Sequence, residues 1–417
     1  MNALLRFLSR RFPALVGRSF RLFLTGQAIS LAGTWMQRVA QSWLVLEMTG
    51  SGTAIGGVTS LQFLPLLLLA PVTGYIADRF DKKRVLLLSQ VISALLAVLL
   101  GALVLLDLVE LWMVFALAFT LGIVSGFENP ARHAFVMEMV GRNQLANAVA
   151  INSMVMSISR VVGPAIAGLL IVVVGVGICF LVNALTFLVF ITALLLIREN
   201  DLTRSDSVPQ PRGYLKTSAS TIVADPRLYV PLIMSVVVGL FSHEFEVILP
   251  LMARFTFSGD ADTFGLMFAS VGIGSAVGGL RSAVRHGDST LSLDRSAVIL
   301  GIAMAAAAVA PLLWIEMAVL VVVGAASTIF SIDSNVMLQL ASPTNMRGQV
   351  LALRAAAFLG ARPVGAPILG WIGEHVGPRY AMGLGAVTAA SAGIWATARL
   401  ARRDNRSLGR LAEESPP

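Results

Sequence analysis

The sequence is poor in charged residues, cysteine and histidine. Asp, Glu, Lys and Arg together make up 13% of the 417 residues, about half the share found in soluble domains. So few charges cannot cover the surface of a soluble protein of this length. The single cysteine, Cys179, excludes an intramolecular disulfide, and we interpret it as a small residue of an apolar interior. These shortages exclude a soluble enzyme and a secreted disulfide scaffold.

Sequence motifs for metal binding and nucleotide hydrolysis are also missing. The four histidines are scattered, with no H-E-x-x-H motif and no cysteine pair. No G-x-x-x-x-G-K-[ST] phosphate loop is present either. We therefore expect no metal, no cofactor, no catalytic residues and no ATP bound by this chain. The chain is not expected to be an enzyme, and an ion gradient is the energy source that remains.

Apolar residues, in contrast, are abundant and occur in long runs. Hydrophobic residues make up 56% of the chain, and runs such as 55–77 and 161–196 are long enough to cross a bilayer, which takes about 20 residues. The sequence predicts an all-α membrane protein with twelve transmembrane helices. The expected spans are 20–47, 54–77, 85–106, 112–130, 145–174, 177–197, 229–250, 263–281, 296–313, 317–339, 349–373 and 380–398.

The basic residues indicate the orientation of these spans. If the N-terminus is cytoplasmic, only Arg254 and Arg379 fall in the outer loops, and nearly all other Lys and Arg residues fall on the inner side. Basic residues in short loops mark the cytoplasmic face, so we expect both termini in the cytoplasm. The net charge of +8 is then a topology signal. Nucleic-acid binding is not expected, because no basic stripe is interleaved with exposed aromatic residues.

The polar stretch between the sixth and seventh spans divides the chain near its middle. We expect a cytoplasmic segment at 1–19, a six-helix bundle at 20–197, a cytoplasmic linker at 198–228, a second bundle at 229–398 and a cytoplasmic tail at 399–417. The second part of the linker, 213–224, is either a short helix on the membrane surface or a flexible connection.

The two halves carry a repeat. Residues 160–175 read RVVGPAIAGLLIVVVG, and residues 362–377 read RPVGAPILGWIGEHVG. When they are aligned, Arg160 matches Arg362, and the glycines that follow coincide at three positions. In the predicted topology both segments rise from the cytoplasm, as spans five and eleven. Two halves repeated in the same orientation imply a pseudo-twofold axis along the membrane normal.

Several segments resemble those of a known family. Residues 74–84, GYIADRFDKKR, resemble the cytoplasmic signature of the major facilitator superfamily, although Asp81 stands where a glycine is usual. Residues 163–168, GPAIAG, resemble the Gly-Pro signature of its antiporters, with Ser159 and Ala167 in place of two usual glycines. Residues 34–46 and 129–141 resemble the branch of enterobactin exporters and macrolide efflux proteins, called transmembrane secretion effectors.

This resemblance covers nearly the whole chain and carries the functional prediction. It implies two pseudo-symmetric six-helix halves and alternating access. We expect a bacterial inner-membrane transporter that exports amphipathic small molecules, such as drugs or siderophore-like metabolites, by proton antiport. One alternative is a proton-linked importer of a polar solute, and another is a polytopic membrane protein without transport activity. The expected partners are a small-molecule substrate, protons and the lipid bilayer, and a monomer is compatible with these features.

The resemblance also assigns two structural motifs. A cytoplasmic gating motif comprises Gly74, Asp78, Arg79, Lys82 and Lys83. Its Asp78 is expected near the N-terminus of span eleven, where the helix dipole favours a carboxylate. The alternative is that Asp78 and the basic residues beside it only fix the orientation of the loop on the cytoplasmic side. A helix-bend motif comprises Gly163, Pro164 and Gly168. Pro164 removes a helical hydrogen bond, so a bend in span five is expected unless it is an ordinary membrane-helix proline.

Polar and cationic residues within spans are candidates for the substrate cavity, because each is costly in lipid unless it is paired or hydrated. Gln37 and Gln41 share one helix face, with Arg38 beside them. Arg160 and Arg362 occupy equivalent places in the two halves, which indicates either a symmetric structural role or anion recognition. The full candidate set is Gln37, Arg38, Gln41, Arg160, Arg354 and Arg362.

Acidic residues within spans are candidates for proton coupling, because a carboxyl in an apolar pocket can exchange protons near neutral pH. The candidates are Asp333, Glu244, Glu246 and Glu128. Asp333 is expected to be the deepest. Glu244 and Glu246 are either buried or close enough to the outer face to be solvated. Glu128 either exchanges protons or pairs with Arg132 one helical turn away.

Overall fold

The structure, a computed structural model, describes residues 13–69, 79–202, 222–284, 293–343 and 346–413. Within these ranges all regular secondary structure is helical, which confirms the predicted fold class. The described residues form twelve main helices: α1 Arg18–Thr49, α2 Gly52–Leu68, α3 Lys82–Leu105, α4 Leu111–Gly141, α5 Asn147–Val174, α6 Val176–Leu196, α7 Pro226–Thr256, α8 Ala261–Val284, α9 Leu293–Val309, α10 Leu313–Ala341, α11 Arg347–His375 and α12 Pro378–Glu413. Short 3₁₀ turns lie at Pro13–Val16 and Glu199–Asp201.

The helices are those of a multi-pass membrane protein. In the part of the chain that the structure describes, nine are long and apolar enough to cross a bilayer. The described part of α2 is equally apolar but shorter. α1 is more polar, because it carries Gln27, Gln37, Arg38 and Gln41, which point inward to the cavity described below. The outer faces of the helices expose large apolar side chains, among them Leu95, Leu169, Val173, Leu185 and Val387.

Side-chain caps begin several helices. The Ser51 hydroxyl accepts a hydrogen bond from the Ala54 backbone N–H (3.2 Å) at the start of α2. Asp81 accepts from the Arg84 N–H (2.8 Å) at the start of α3. An acidic N-cap satisfies a backbone donor that the first helical turn leaves free. Asp81 therefore has a structural function at the position where the family signature usually has glycine.

One predicted boundary is wrong. α4 does not end at Pro130 but continues to Gly141, where a positive φ of 68° breaks the helix before α5. Proline is tolerated inside a membrane helix when neighbouring groups take up the freed backbone carbonyl. The candidate membrane span of α12, Pro378–Ala401, agrees with the prediction, and the helix itself continues to Glu413. The linker stretch 203–221, which includes most of the predicted surface helix, lies outside the described residues.

α7 is interrupted in the middle of its span. A first helix, Pro226–Phe241, ends at Ser242, and a second begins at Phe245 and passes into a π-helical turn at Met252–Thr256. The Ser242 hydroxyl donates to the Gly385 carbonyl of α12 (2.8 Å). The break removes Glu244 from regular helix geometry, with φ −90° and ψ 46°. It therefore lets both Glu244 and Glu246 point away from the lipid.

The two six-helix halves meet near one end of the bundle. We call this the outer end, following the predicted topology; it contains the turn between α1 and α2. α5 crosses α8 where Gly168 faces Gly265 backbone to backbone, and α2 packs along α11 where Gly52 faces Gly370. The helix-bend motif thus lies on the contact between halves. Gly163 packs within its own half, against Ala32 and Trp35 of α1.

One inter-half hydrogen bond satisfies a backbone group that proline leaves free. Pro367 has no N–H, so the carbonyl four residues earlier, that of Pro363, has no helical donor. The Ser60 hydroxyl of α2 donates to this carbonyl at 2.6 Å. The contact between α2 and α11 thus completes the hydrogen bonding of α11.

Candidate functional site

A cavity of about 830 Å³ lies between the two halves. It extends from the region of inter-half contact towards the inner end, where Arg132, Asn147 and Leu280 lie along its wall. This volume is in the range of small-molecule sites. Its walls combine aromatic rings with few charges. The charged lining residues that the structure describes are Arg38, Arg132, Arg160, Arg362, Glu128 and Glu246.

A buried ion cluster closes the outer end of the cavity. Arg362 of α11 donates from Nε to Glu244 Oε1 (2.9 Å) and from Nη2 to Glu244 Oε2 (3.2 Å). Its Nη2 also lies 3.6 Å from Glu246 Oε2. Paired hydrogen bonds of this kind hold the guanidinium in one orientation, in addition to the attraction between the opposite charges. Both glutamates are buried, so the alternative that they are solvated at the outer face is wrong.

The cluster also connects the two halves. Arg38 of α1 places Nη1 3.5 Å from Glu246 Oε1. Glu246 therefore faces one arginine from each half, whereas Glu244, within the described residues, pairs with Arg362 of its own half. Glu246 is a buried acid placed so that a change in its charge would affect arginines of both halves.

Two aromatic rings support the arginines. The Trp35 ring has Arg38 Cζ 4.6 Å and Arg160 Cζ 4.9 Å from its centroid. The Phe63 ring lies 4.2 Å from Arg362 Cζ and 5.5 Å from Arg38 Cζ. Aromatic faces attract cations, and the attraction is stronger where water is excluded. Trp35 and Phe63 thus hold three like charges near one another at the closed end of the cavity.

Hydrogen-bonded polar chains line the N-terminal half. The Ser30 hydroxyl donates to Gln90 Oε1 (3.3 Å), and Gln90 Nε2 donates to Glu128 Oε1 (2.8 Å). Glu128 also pairs with Arg132, one helical turn away. Separately, Asn183 Nδ2 donates to Gln37 Oε1 (2.5 Å). Gln37 and Gln41 both line the cavity.

Arg354 and Asp333 lie outside the described cavity lining. Arg354 donates from Nε to the Ser334 hydroxyl (2.9 Å) and from Nη2 to the Ser331 hydroxyl (3.0 Å). It thus ties α11 to α10 instead of facing the cavity. Asp333 is buried on α10, although less completely than Glu244.

The cytoplasmic gating motif is only partly described. Gly74 and Asp78 lie outside the described residues. Lys82 pairs with Glu138 (3.6 Å), and Lys83 donates to the Ile197 carbonyl (2.7 Å). Both contacts stay within the N-terminal half. Arg79 is exposed.

Sequence reasoning did not identify the aromatic supports or an acid at the outer end. Trp35 belongs to a segment quoted for its family resemblance, but nothing in the sequence indicated that two arginines share its ring. Phe63 was one apolar residue in a long run. Glu374, an acid at the end of the repeated segment in α11, accepts hydrogen bonds from Ser51 and Thr53 of α2. The sequence feature that could have identified Glu374 is its position at the end of a predicted helix.

No group of three or more His, Cys, Asp or Glu residues in the described ranges is arranged to hold a metal ion. The arrangement that is present can hold an amphipathic molecule against aromatic rings. It can also change its charge by protonation of a carboxylate.

The sequence profile of the transmembrane secretion effectors, a family of major facilitator transporters, matches residues 10–413. The chain is 27% identical over 371 residues to the enterobactin exporter EntS of Salmonella typhi, covering 86% of this chain and 87% of that protein. It is 26% identical over 361 residues to the multidrug efflux pump Tap of Mycolicibacterium fortuitum, covering 83% and 87%. It is 24% identical over 265 residues to the staphyloferrin A transporter of Staphylococcus aureus, covering 62% of this chain and only 65% of that transporter.

Solved structures show the same fold. A bacterial homologue of the lysosomal transporter Spinster, in an inward-facing and unoccupied conformation, superposes with a TM-score of 0.70 at 14% identity, covering 96% of this chain and 99% of that chain. A D-xylose–proton symporter superposes with a TM-score of 0.67 at 14% identity, covering 90% and 97%. The chain belongs to the transmembrane secretion effector family of major facilitator transporters.

Proposed function

From this family membership we propose that the chain is a proton-coupled exporter of amphipathic small molecules in the bacterial inner membrane. The observation that carries the proposal is the position of Glu246, a buried acid that faces Arg38 of one half and Arg362 of the other. A carboxylate between two arginines attracts both when it is ionised and loses both attractions when it is protonated. Proton binding can therefore change how the halves hold together.

The transport cycle uses the two halves as its moving units. We assign them to 20–197 and 229–398, connected by the cytoplasmic linker 198–228, with 1–19 and 399–417 also in the cytoplasm. The cavity that extends to the inner end receives substrate from the cytoplasm or the inner leaflet. Opening at the outer end then releases the substrate. A proton that enters from outside neutralises Glu246, and its release inside resets the ion cluster.

The direction and substrate class rest on the relatives. Proteins named as an enterobactin exporter and a multidrug efflux pump align over most of this chain. An amphipathic substrate fits a cavity whose wall combines Trp35, Phe63 and Phe268 with a few charged groups. A membrane potential of about 100 mV supplies roughly 2.3 kcal/mol per charge moved, which is enough to concentrate a substrate against its gradient. We assign the working unit as a monomer.

Inverted membrane vesicles provide the direct test. The vesicles are energised, and lipophilic cations, macrolides and catechol siderophores are added in turn, while a pH-sensitive dye reports proton release. We expect at least one class to be taken up with a dye response. Glu246→Gln should abolish the response and retain substrate binding. Glu110→Gln, which changes an exposed acid bonded to Trp112, should behave as the unmodified protein.

Each part of the proposal can fail separately. If no compound moves and no proton flux occurs, the exporter assignment is wrong. If transport and proton flux persist in a chain carrying both Glu244→Gln and Glu246→Gln, coupling lies elsewhere, and Asp333→Asn and Glu128→Gln become the next variants. If energised whole cells accumulate the compound that moves, the importer alternative is correct.

A further inference from the structure

Among the described residues that line the cavity, one cation, Arg160, has no acidic partner. Arg362 faces Glu244 and Glu246, Arg38 faces Glu246, and Arg132 faces Glu128. In the described part of the chain, no carboxylate oxygen lies within 4.0 Å of the Arg160 guanidinium, and its Nε is buried without a hydrogen-bond partner. Its described contact is with the Trp35 ring.

The charged residues at the closed end of the cavity also carry a net positive charge. Arg38, Arg160 and Arg362 supply three positive charges, and Glu244 and Glu246 supply two negative ones. Ion pairing within the cluster thus leaves one positive charge over. Arg160 lines the cavity, so this charge is available to a molecule inside it. An arginine in a membrane interior without a partner is costly, and a cation–π contact offsets that cost only partly.

We propose that the transported molecule carries an anionic oxygen group, a carboxylate or a phenolate, that binds Arg160 while its apolar body packs on the aromatic wall. This inference rests on the proposed function and specifies its substrate class. A guanidinium presents a planar set of N–H donors that matches a carboxylate with two parallel hydrogen bonds.

The aromatic wall complements this anion site. Trp35 touches Arg160 on one side and packs against Phe268 of α8, with ring centroids 6.2 Å apart. A substrate that pairs with Arg160 therefore lies beside rings contributed by both halves. The site thus selects for a negative group attached to a flat or apolar body.

Direct binding to the purified full chain in lipid nanodiscs tests the proposal. The probes share one fluorophore: pyrenebutyrate, its uncharged methyl ester, and a trimethylammonium derivative of pyrenebutane. Energy transfer from tryptophan to pyrene measures each affinity. We expect the anion to bind most tightly, the ester less tightly and the cation least tightly. Arg160→Gln should weaken the affinity for the anion about tenfold, in line with the loss of a charge-assisted hydrogen bond. The same variant should change the affinity for the ester by no more than about twofold.

Two further variants separate recognition from folding. Arg160→Lys keeps the charge without the paired N–H donors and should bind the anion with intermediate affinity. Arg254→Gln changes an exposed arginine near Asp260 at the outer end and should bind all three probes as the unmodified chain does. If Arg160→Gln weakens the binding of the ester as strongly as the binding of the anion, Arg160 has a structural role and the proposal is overturned.

The remaining outcomes also decide the question. Tighter binding of the cation than of the anion, or failure of the unmodified chain to bind the anion, overturns the anionic class. Neither result depends on proton flux, so the exporter proposal would stand or fall on the vesicle experiment alone. Conversely, selective anion binding in a chain that shows no proton flux would support the site and contradict the coupling.

Discussion

Glu374 and Thr53 join the two halves of the transporter at its outer end. The Glu374 carboxylate, in the last turn of α11, accepts hydrogen bonds from the Thr53 backbone N–H (3.0 Å) and hydroxyl (2.8 Å). It also accepts one from the Ser51 hydroxyl (2.6 Å). Thr53 is in the first turn of α2, where backbone donors are free and negative charge is favoured. These bonds must break before the outer end opens.

Glu374→Ala should therefore shift the transporter towards the outward-open state. Because the carboxylate is exposed to solvent, we expect a loss of about 1 kcal/mol, which changes the ratio of the two states about fivefold. Spin labels on Asp107→Cys and Pro311→Cys, at the outer ends of opposite halves, would measure the distance distribution. Glu110→Ala is the control, since its acid bonds Trp112 in the same half. An unchanged distribution would show that Glu374 does not hold the outer end closed.

Gly265→Ala should separate α5 from α8. A Cβ on Gly265 would overlap Gly168 Cα, a backbone atom that cannot turn aside. Overpacking of this kind costs about 1–3 kcal/mol, and here it would penalise only the state in which the outer end is closed. We expect a longer distance between the same pair of spin labels and a lower transport rate. Gly383→Ala on α12 is the matched control, because no atom lies within 4 Å of its added Cβ.

Arg362→Gln should destabilise the protein more than Glu244→Gln does. Loss of Glu244 leaves Arg362 beside Glu246, 3.6 Å away. Loss of Arg362 leaves two buried carboxylates without their shared partner, and breaking a buried pair in this way costs about 3–5 kcal/mol. Thermal unfolding in detergent measures both effects. The double variant should recover part of the loss, and strict additivity of the two changes would contradict a direct interaction.

The sequence was a good guide to features that depend on local composition. Long apolar runs located the helices, and the repeat around Arg160 and Arg362 indicated two halves with one architecture. The predicted end of span four at 130 is wrong, because a membrane helix can continue through a proline such as Pro130.

Partners across the molecule could not be read from the chain. Glu246 faces both Arg38 and Arg362 because α7 is interrupted. The sequence gives no local indication of this break, since residues 242–245 contain neither glycine nor proline. Solvation of Glu244 remained an open alternative for the same reason. Asp333 was expected to be the deepest acid from the predicted limits of its span. Burial, however, depends on how neighbouring helices pack around a residue.

The hydrogen bond between Ser60 and the Pro363 carbonyl links the shape of the transporter to the stiffness of one helix. When the outer end is closed, a side chain from the opposite half supplies the donor that Pro367 lacks. When the halves separate, that donor leaves with them, and water entering the pathway must replace it. α11 then becomes easier to flex between Arg362 and Glu374. Opening the transporter would thus loosen the helix that carries both the central arginine and the outer acid.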